Sequence, residues 1–215
     1  AEILSGMGAK IIAVQDADGS IFNPNGLDVG ALMTYVYENK ENLKKSVAGF
    51  PGGESLGRDD FWSVECDVCI PAALGNVING EVAERMRCKL VAEGANHPTT
   101  PDADEVFLKR GIDLIPDVIA NAGGVTVSYY EWVQNKRMEQ WTEAEVNTKL
   151  ERAIRSNYRI IRDIAGDHPR RMAIGGVDHD SRGFTVGKKI SPRAAAMVLA
   201  LKRSEAHYRL EGFSQ

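Results

Sequence analysis

Four short apolar runs, spaced by helix-length stretches, constrain this chain more than any other feature. They are KIIAV at 10–14, DVCI at 67–70, LVA at 90–92 and IDLI at 112–115. Each is too short for a helix, and an apolar run without alternation reads as a strand covered on both faces, as in a parallel sheet. Between the runs the sequence predicts helices over 28–38, with Leu32, Met33 and Val36 inward, and over 76–86. Another begins with Thr100 as cap and Pro101 at the first helical position, and stops near Gly111. The stretch 49–57, rich in glycine and proline, reads as loop. Alternation of this kind predicts an α/β fold built on a doubly wound, mostly parallel sheet.

After Asn121 the pattern turns helical. Thr142 and Glu145 form a capping box, with Trp141 and Val146 as a hydrophobic staple. Val146, Leu150, Ile154, Tyr158, Ile161 and Ala165 then recur on one face of a long helix. A last helix starts at Ser191-Pro192 and runs to near Gly212, while 166–190, polar and glycine-rich, gives no element.

Gly6-Met7-Gly8 precedes the first run. A glycine loop that holds phosphates must follow a strand and open a helix, so that helix amides face the anion. The order here is reversed, and Gly8 reads instead as the left-handed residue that ends a helix. If 10–14 is the second strand of a dinucleotide-binding sheet, the first strand and its phosphate loop fall upstream of Ala1. The chain begins without Met and in mid-pattern, which reads as a piece of a longer polypeptide. We divide it into residues 1–135, a partial Rossmann-like domain lacking its first strand, and residues 136–215, a helical extension of the same domain.

Charge narrows the partners. A net charge of −4 argues against nucleic acid or an anionic membrane as partner, since both call for a basic patch. No run approaches the ~20 apolar residues of a membrane span, and the start has no signal-peptide pattern. Three cysteines, Cys66, Cys69 and Cys88, fit buried thiols in a reducing cytoplasm and offer no paired C-x-x-C for zinc. His179 between Asp178 and Asp180 reads as a solvated loop residue, so no metal is expected.

Candidate site residues lie where strands end, because ligands of such sheets bind at the carboxyl ends of the strands. Asp16 closes the first run, as does the acid that accepts from adenosine ribose hydroxyls, although turn aspartates are common at strand ends. Pro71-Ala72-Ala73 follows the second run with side chains small enough to admit a flat ring. Glu93-Gly94-Ala95-Asn96 follows the third, and Asn offers a donor and an acceptor that match a carboxamide. Asn121-Ala122-Gly123-Gly124 opens a helix carrying Val125 and Ser128 three apart on one face, an apolar contact beside a hydroxyl.

These stretches, taken together, resemble the nucleotide-binding domain of the glutamate dehydrogenase family, among the Glu/Leu/Phe/Val dehydrogenases. The resemblance runs through GAKIIAVQDADGSIFNPNGLDV, KSVAGFPGGE, CDVCIPAALGNVING, KLVAEGANHPTTPDAD and DLIPDVIANAGGVTVSYYEWVQN. It implies interconversion of glutamate with 2-oxoglutarate and ammonia, using NAD or alternatively NADP. It implies cofactor contacts from Asp16, Ala72, Ala73, Asn96 and Asn121, and substrate contacts from Val125 and Ser128. Catalytic residues are expected in an N-terminal domain outside this chain, and the full enzyme is expected to be a homo-oligomer, usually a hexamer. Two alternatives stay open: another amino-acid (Leu/Phe/Val) dehydrogenase domain, which Ser128 disfavours because an apolar side chain calls for an apolar wall, and a non-catalytic partner-binding module on the same fold.

Overall fold

The structure, a computed structural model, describes residues 1–166 and 190–211. Its strands form two three-stranded sheets. β1 (Ala13–Gln15), β2 (Ser20–Phe22) and β3 (Glu54–Leu56) make an antiparallel meander. β4 (Glu65–Cys69), β5 (Arg87–Ala92) and β6 (Asp113–Ile115) make a parallel sheet in that order. Parallel neighbours need a crossover, and helices supply it. α3 (Gly80–Arg85) links β4 to β5, and α4 (Pro101–Arg110) links β5 to β6.

The antiparallel sheet corrects two expectations. The run at 10–14 is not a parallel strand covered on both faces: its strand is Ala13–Gln15, antiparallel to β2 and only half-buried. A tight turn is the cause. The Asp16 amide donates to the Gly19 carbonyl at 2.9 Å, which folds the chain back so that β1 pairs with the segment directly after it. Nor is 49–57 all loop, since Glu54–Leu56 pairs with β2. This strand carries one apolar residue and is mostly exposed, so hydrophobic pattern cannot reveal it. Ile21, Leu27, Leu32, Val36, Val47 and Phe50 form the core between this sheet and α2 (Val29–Tyr37). The Asp28 side chain accepts from the Ala31 amide at 2.9 Å and caps α2. Met33 is 39% exposed rather than inward, because it lies one residue, about 100° of helix, past the buried Leu32.

Adjacent residues of β6 face opposite sides of the parallel sheet, as strand geometry requires. Leu114 joins Ile78, Ala83, Met86, Val91 and Phe107 beneath α3 and α4. Ile115 packs against Ile119, Ile161, Ala165, Ala195 and Ala196. That second cluster is supplied by α5 (Asp117–Ala120), α7 (Glu143–Ala165) and α8 (Pro192–Glu211). Helices therefore cover both faces, which is the doubly wound arrangement. β1 and β4 each pair on one side only among the described residues, and Val68 of β4 is 45% exposed.

Helix ends follow local chemistry closely. α1 (Glu2–Gly6) ends with Gly8 at φ +92°, and the Ala9 amide reaches back to the Leu4 carbonyl at 2.9 Å. Gly6-Met7-Gly8 is thus a helix end, not a phosphate loop. Both halves of the Thr142–Glu145 capping box are formed at the start of α7. Ser191 accepts from the Ala194 amide at 3.2 Å and starts α8. Thr100 takes the cap position of α4, but its hydroxyl donates to the Ile78 carbonyl at 3.1 Å and caps nothing. α6 (Gly123–Arg137) runs across the boundary drawn at 135.

All three cysteines are free, Cys88 buried and Cys66 and Cys69 half-buried against the same cluster. Burial pushes the Cys88 thiol up to about 11 and raises Cys69 as well, so neither is a nucleophile at neutral pH. Among the described residues no cluster of metal-ligating side chains occurs, and no helix is long and apolar enough to cross a membrane. His168, His179 with its flanking aspartates, and the predicted end of the last helix near Gly212 lie outside the described residues.

Candidate functional site

The carboxyl ends of β4, β5 and β6 lie along one edge of the parallel sheet, and the loops that leave them are stitched together. Pro71 has no amide to continue β4, but its carbonyl accepts from the Ala95 amide at 2.9 Å. That bond ties the first loop to the second. Gly94 sits at the crossing: a Cβ there would come 3.2 Å from the Ala72 Cβ, so the approach is already close. Ala72 and Ala73 are exposed beyond it.

The second and third loops meet through side chains. The Asn121 Nδ2 donates to the Asn96 Oδ1 at 2.7 Å. The pair leaves donors on Asn96 and an acceptor on Asn121, the set that a carboxamide needs. Asn96 is exposed, and Asn121 half-buried. Two residues past Asn121, α6 begins, with none of its side chains buried. Val125 is 71% exposed, and Ser128, three residues on, is exposed as well.

Below the amide pair lies a buried charge cluster that the sequence reading missed. The Arg193 guanidinium, on α8, bonds Glu93 at 2.6 Å, Asp104 at 2.7 Å and Asp117 at 3.1 Å. The Glu93 side chain is fully buried, that of Asp117 largely so, and those of Asp104 and Arg193 are partly exposed. Burial raises the Asp104 carboxyl; the Arg193 hydrogen bond and charge work against that, while Glu93 and Asp117 add to it. Arg193 itself is held well above its ordinary value by Asp104 and Glu93, despite burial. One signal in the sequence could have found the cluster. A cation in the first turn of a helix opposes the helix dipole, so Arg193 directly after Pro192 calls for acids nearby.

Asp16 belongs to the other sheet. Its carboxylate accepts from the amides of Val47 (2.7 Å), Asp18 (2.9 Å) and Gly19 (3.1 Å) and from the Ser46 hydroxyl (2.9 Å). Burial opposes its charge, but these bonds outweigh burial and hold the carboxyl below the usual range. Oδ1 accepts three of these bonds, from Asp18, Gly19 and Ser46, and Oδ2 accepts one, from Val47. Oδ2 thus keeps acceptor capacity for an outside hydroxyl, whereas one binding at Oδ1 would have to displace a donor. A polar cavity of about 250 Å³ adjoins it, lined in part by Asp18, Ser55 and Arg58. The structure thus brings Ala72, Asn96 and Asn121 together and leaves Asp16 in a separate sheet.

Known proteins match this arrangement. Residues 1–177 fit the sequence pattern of the Glutamate/Leucine/Phenylalanine/Valine dehydrogenase family. An NAD-specific glutamate dehydrogenase of Peptoniphilus asaccharolyticus is 47% identical over 149 residues, 67% of this chain and 34% of that protein. The NADP-specific glutamate dehydrogenase A1 of Halobacterium salinarum is 41% identical over 168 residues, 78% of this chain and 39% of that protein. The crystal structure of a hetero-hexameric glutamate dehydrogenase from Thermus thermophilus, in a Leu-bound form, superposes with a TM-score of 0.77 at 25% identity. That superposition covers 100% of this chain and 44% of the other. The chain therefore spans well under half the length of the relatives it matches.

Proposed function

The chain belongs to the glutamate/leucine/phenylalanine/valine dehydrogenase family, and we propose that it is the nucleotide-binding part of a nicotinamide-dependent glutamate dehydrogenase. The whole protein would convert L-glutamate, water and the oxidised nicotinamide cofactor to 2-oxoglutarate, ammonia and the reduced cofactor, with catalytic groups supplied by polypeptide outside these residues. Residues 136–215 serve as the helical extension of one domain, which the packing of α8 against β6 favours. Among the described residues β1 and β4 each pair on one side only, which fits a nucleotide-binding sheet that takes a further strand. An oligomer fits the hetero-hexameric relative, and we read it as a homo-oligomer in the cytoplasm, a compartment that suits three free thiols.

The observation that carries this proposal is the Asn96–Asn121 amide pair at the carboxyl edge of the parallel sheet. The pair fits the nicotinamide carboxamide, and when bound the nicotinamide supplies the hydride acceptor. Ala72 and Ala73 keep the edge open to a flat ring. Val125 and Ser128 offer the amino-acid substrate an apolar contact and a hydroxyl for its side-chain carboxylate. Asp16 serves the adenosine ribose through Oδ2, the less occupied of its two oxygens. NAD is the cofactor we favour, with NADP the alternative; relatives of both kinds exist.

Titration of NADH into ¹⁵N-labelled chain tests the proposal. The Asn96 and Asn121 side-chain amide signals are expected to shift in a saturable way, with weak affinity of about millimolar order. Asn121→Ala is expected to abolish the saturable shift of the Asn96 signal. Amide signals that stay fixed under NADH overturn the assignment.

A further inference from the structure

The cluster around Arg193 does more than seat the last helix. Three guanidinium nitrogens go to three separate carboxylates: Nη2 to Glu93, Nε to Asp104 and Nη1 to Asp117. Each acid belongs to a different segment. Glu93 opens the loop that carries Asn96, Asp117 opens the helix that leads to Asn121, and Asp104 lies on α4. The acids are also bonded to the loops directly. Glu93 Oε2 accepts from the Asp117 amide at 2.8 Å, and Asp117 Oδ2 accepts from the His97 amide at 2.9 Å.

Both members of the amide pair depend on this arrangement. Asn96 is flanked by Ala95, whose amide is held by Pro71, and by His97, whose amide is held by Asp117. His97 has a φ of +50°, a left-handed conformation that a non-glycine residue keeps only where its surroundings enforce it. The Asn121 amide donates to the Asp117 carbonyl at 3.1 Å. Asp117 thus fixes Asn96 through His97 and Asn121 through α5. Asp117 and Glu93 are joined by that direct bond from amide to carboxylate, and Arg193 bridges their two buried carboxylates from α8.

We propose that Arg193 is a positioning residue: by bridging Glu93 and Asp117 from α8, it sets the Asn96–Asn121 pair, and so couples seating of the C-terminal helix to the geometry of the cofactor edge. The structural half stands on the contacts alone. Its consequence for cofactor rests on the nicotinamide reading of the amide pair. Lysine cannot replace the fork, because an ammonium is a point charge that does not present three coplanar nitrogens.

The test uses the 215-residue chain labelled with ¹⁵N. Arg193→Gln is expected to collapse the hydrogen-bonded Asn121 side-chain signal and shift that of Asn96, with NADH affinity falling about tenfold. Arg193→Lys is expected to restore part of the Asn121 signal. Asp104→Asn, which removes a carboxylate that bonds neither asparagine loop, is expected to leave both signals in place and gives a measurement should Arg193→Gln fail to fold. Arg162→Gln is the control for general loosening, since Arg162 of α7 pairs with Asp113 of β6 and so ties another helix to the same sheet. It is expected to lower stability without moving the asparagine signals. Unmoved signals in folded Arg193→Gln overturn the proposal, as does Arg162→Gln moving them equally, Arg193→Lys matching the wild type, or Asp104→Asn collapsing them. Asparagine signals that collapse while NADH affinity stays constant uphold the positioning role and sink the nicotinamide reading instead.

Discussion

The hairpin end of the antiparallel sheet and the carboxyl edge of the parallel sheet both hold half-buried or buried carboxylate, yet they satisfy it by different means. Asp16 is met by three backbone amides and a hydroxyl, all neutral, and its carboxyl sits below the usual range. Glu93, Asp104 and Asp117 share one guanidinium, and the Asp104 carboxyl sits above it. The difference lies in charge balance. Amides and a hydroxyl add no net charge and stabilise a single anion, whereas one cation leaves three neighbouring anions incompletely compensated. The first arrangement fastens a turn. The second joins a distant helix to the sheet edge, at the cost of mutual repulsion among the acids.

Four measurements break or sharpen this contrast. The largest effect is expected from Arg193→Ala, which strands three carboxylates without a cation. A loss of about 3–5 kcal/mol in a urea unfolding curve is expected, and a loss under 1 kcal/mol would show that the acids find protons or water without it. Asp16→Ala comes next. It leaves the Val47 amide and its companions without their acceptor, and about 1–3 kcal/mol is expected by the same measurement. If Asp16→Ala proves the more damaging of the two, the ranking of cation-centred over amide-centred sites is wrong.

The third measurement turns on sign. The Asp16 carboxyl is lowered in the folded state, so its contribution is present above the ordinary carboxylate range and is lost as pH falls through the lowered value. The Asp104 carboxyl is raised, so ionisation there costs stability as pH rises from the ordinary carboxylate value through the raised one. Urea midpoints across the acid range are expected to lose their steepest acid fall in Asp16→Asn, and to lose the decline with rising pH in Asp104→Asn. Identical pH profiles for the two variants would erase the distinction. The smallest effect is expected from Lys89→Gln, which removes the ion pair with Asp67. Both side chains are at least 80% exposed, and such pairs are screened by water and salt. Its melting temperature is expected to match the wild type, which shows that burial, not pairing alone, gives Arg193 its weight.

Legibility in the sequence followed distance along the chain. The Thr142–Glu145 capping box, the Ser191-Pro192 start and the Gly8 helix end each need partners within five residues, and all three formed as expected. The three parallel strands were legible because their apolar runs are bounded by proline, glycine and helix signals. β3 was not, since its pattern is exposed and its partner lies more than 30 residues away. Within the candidate site, the asparagines were legible as strand-end amides, but their mutual contact spans 25 residues and the Arg193–Glu93 bond spans 100.

The sequence by itself determined the capped helix ends, that helices alternate with strands, and which side chains end the strands. These are local matters of backbone geometry and of hydrogen bonds within a turn or two. The helix read over 76–86 begins only at Gly80, because the amides of Asn76 and Ile78 bond to the His97 and Pro98 carbonyls instead. Tertiary structure alone decided that β3 joins β2, that Asp16 accepts from Ser46 and Val47, and that a helix near the end of the described chain supplies the cation shared by acids at the sheet edge. Those outcomes depend on which distant groups meet once water is excluded, and no short window of residues holds both partners.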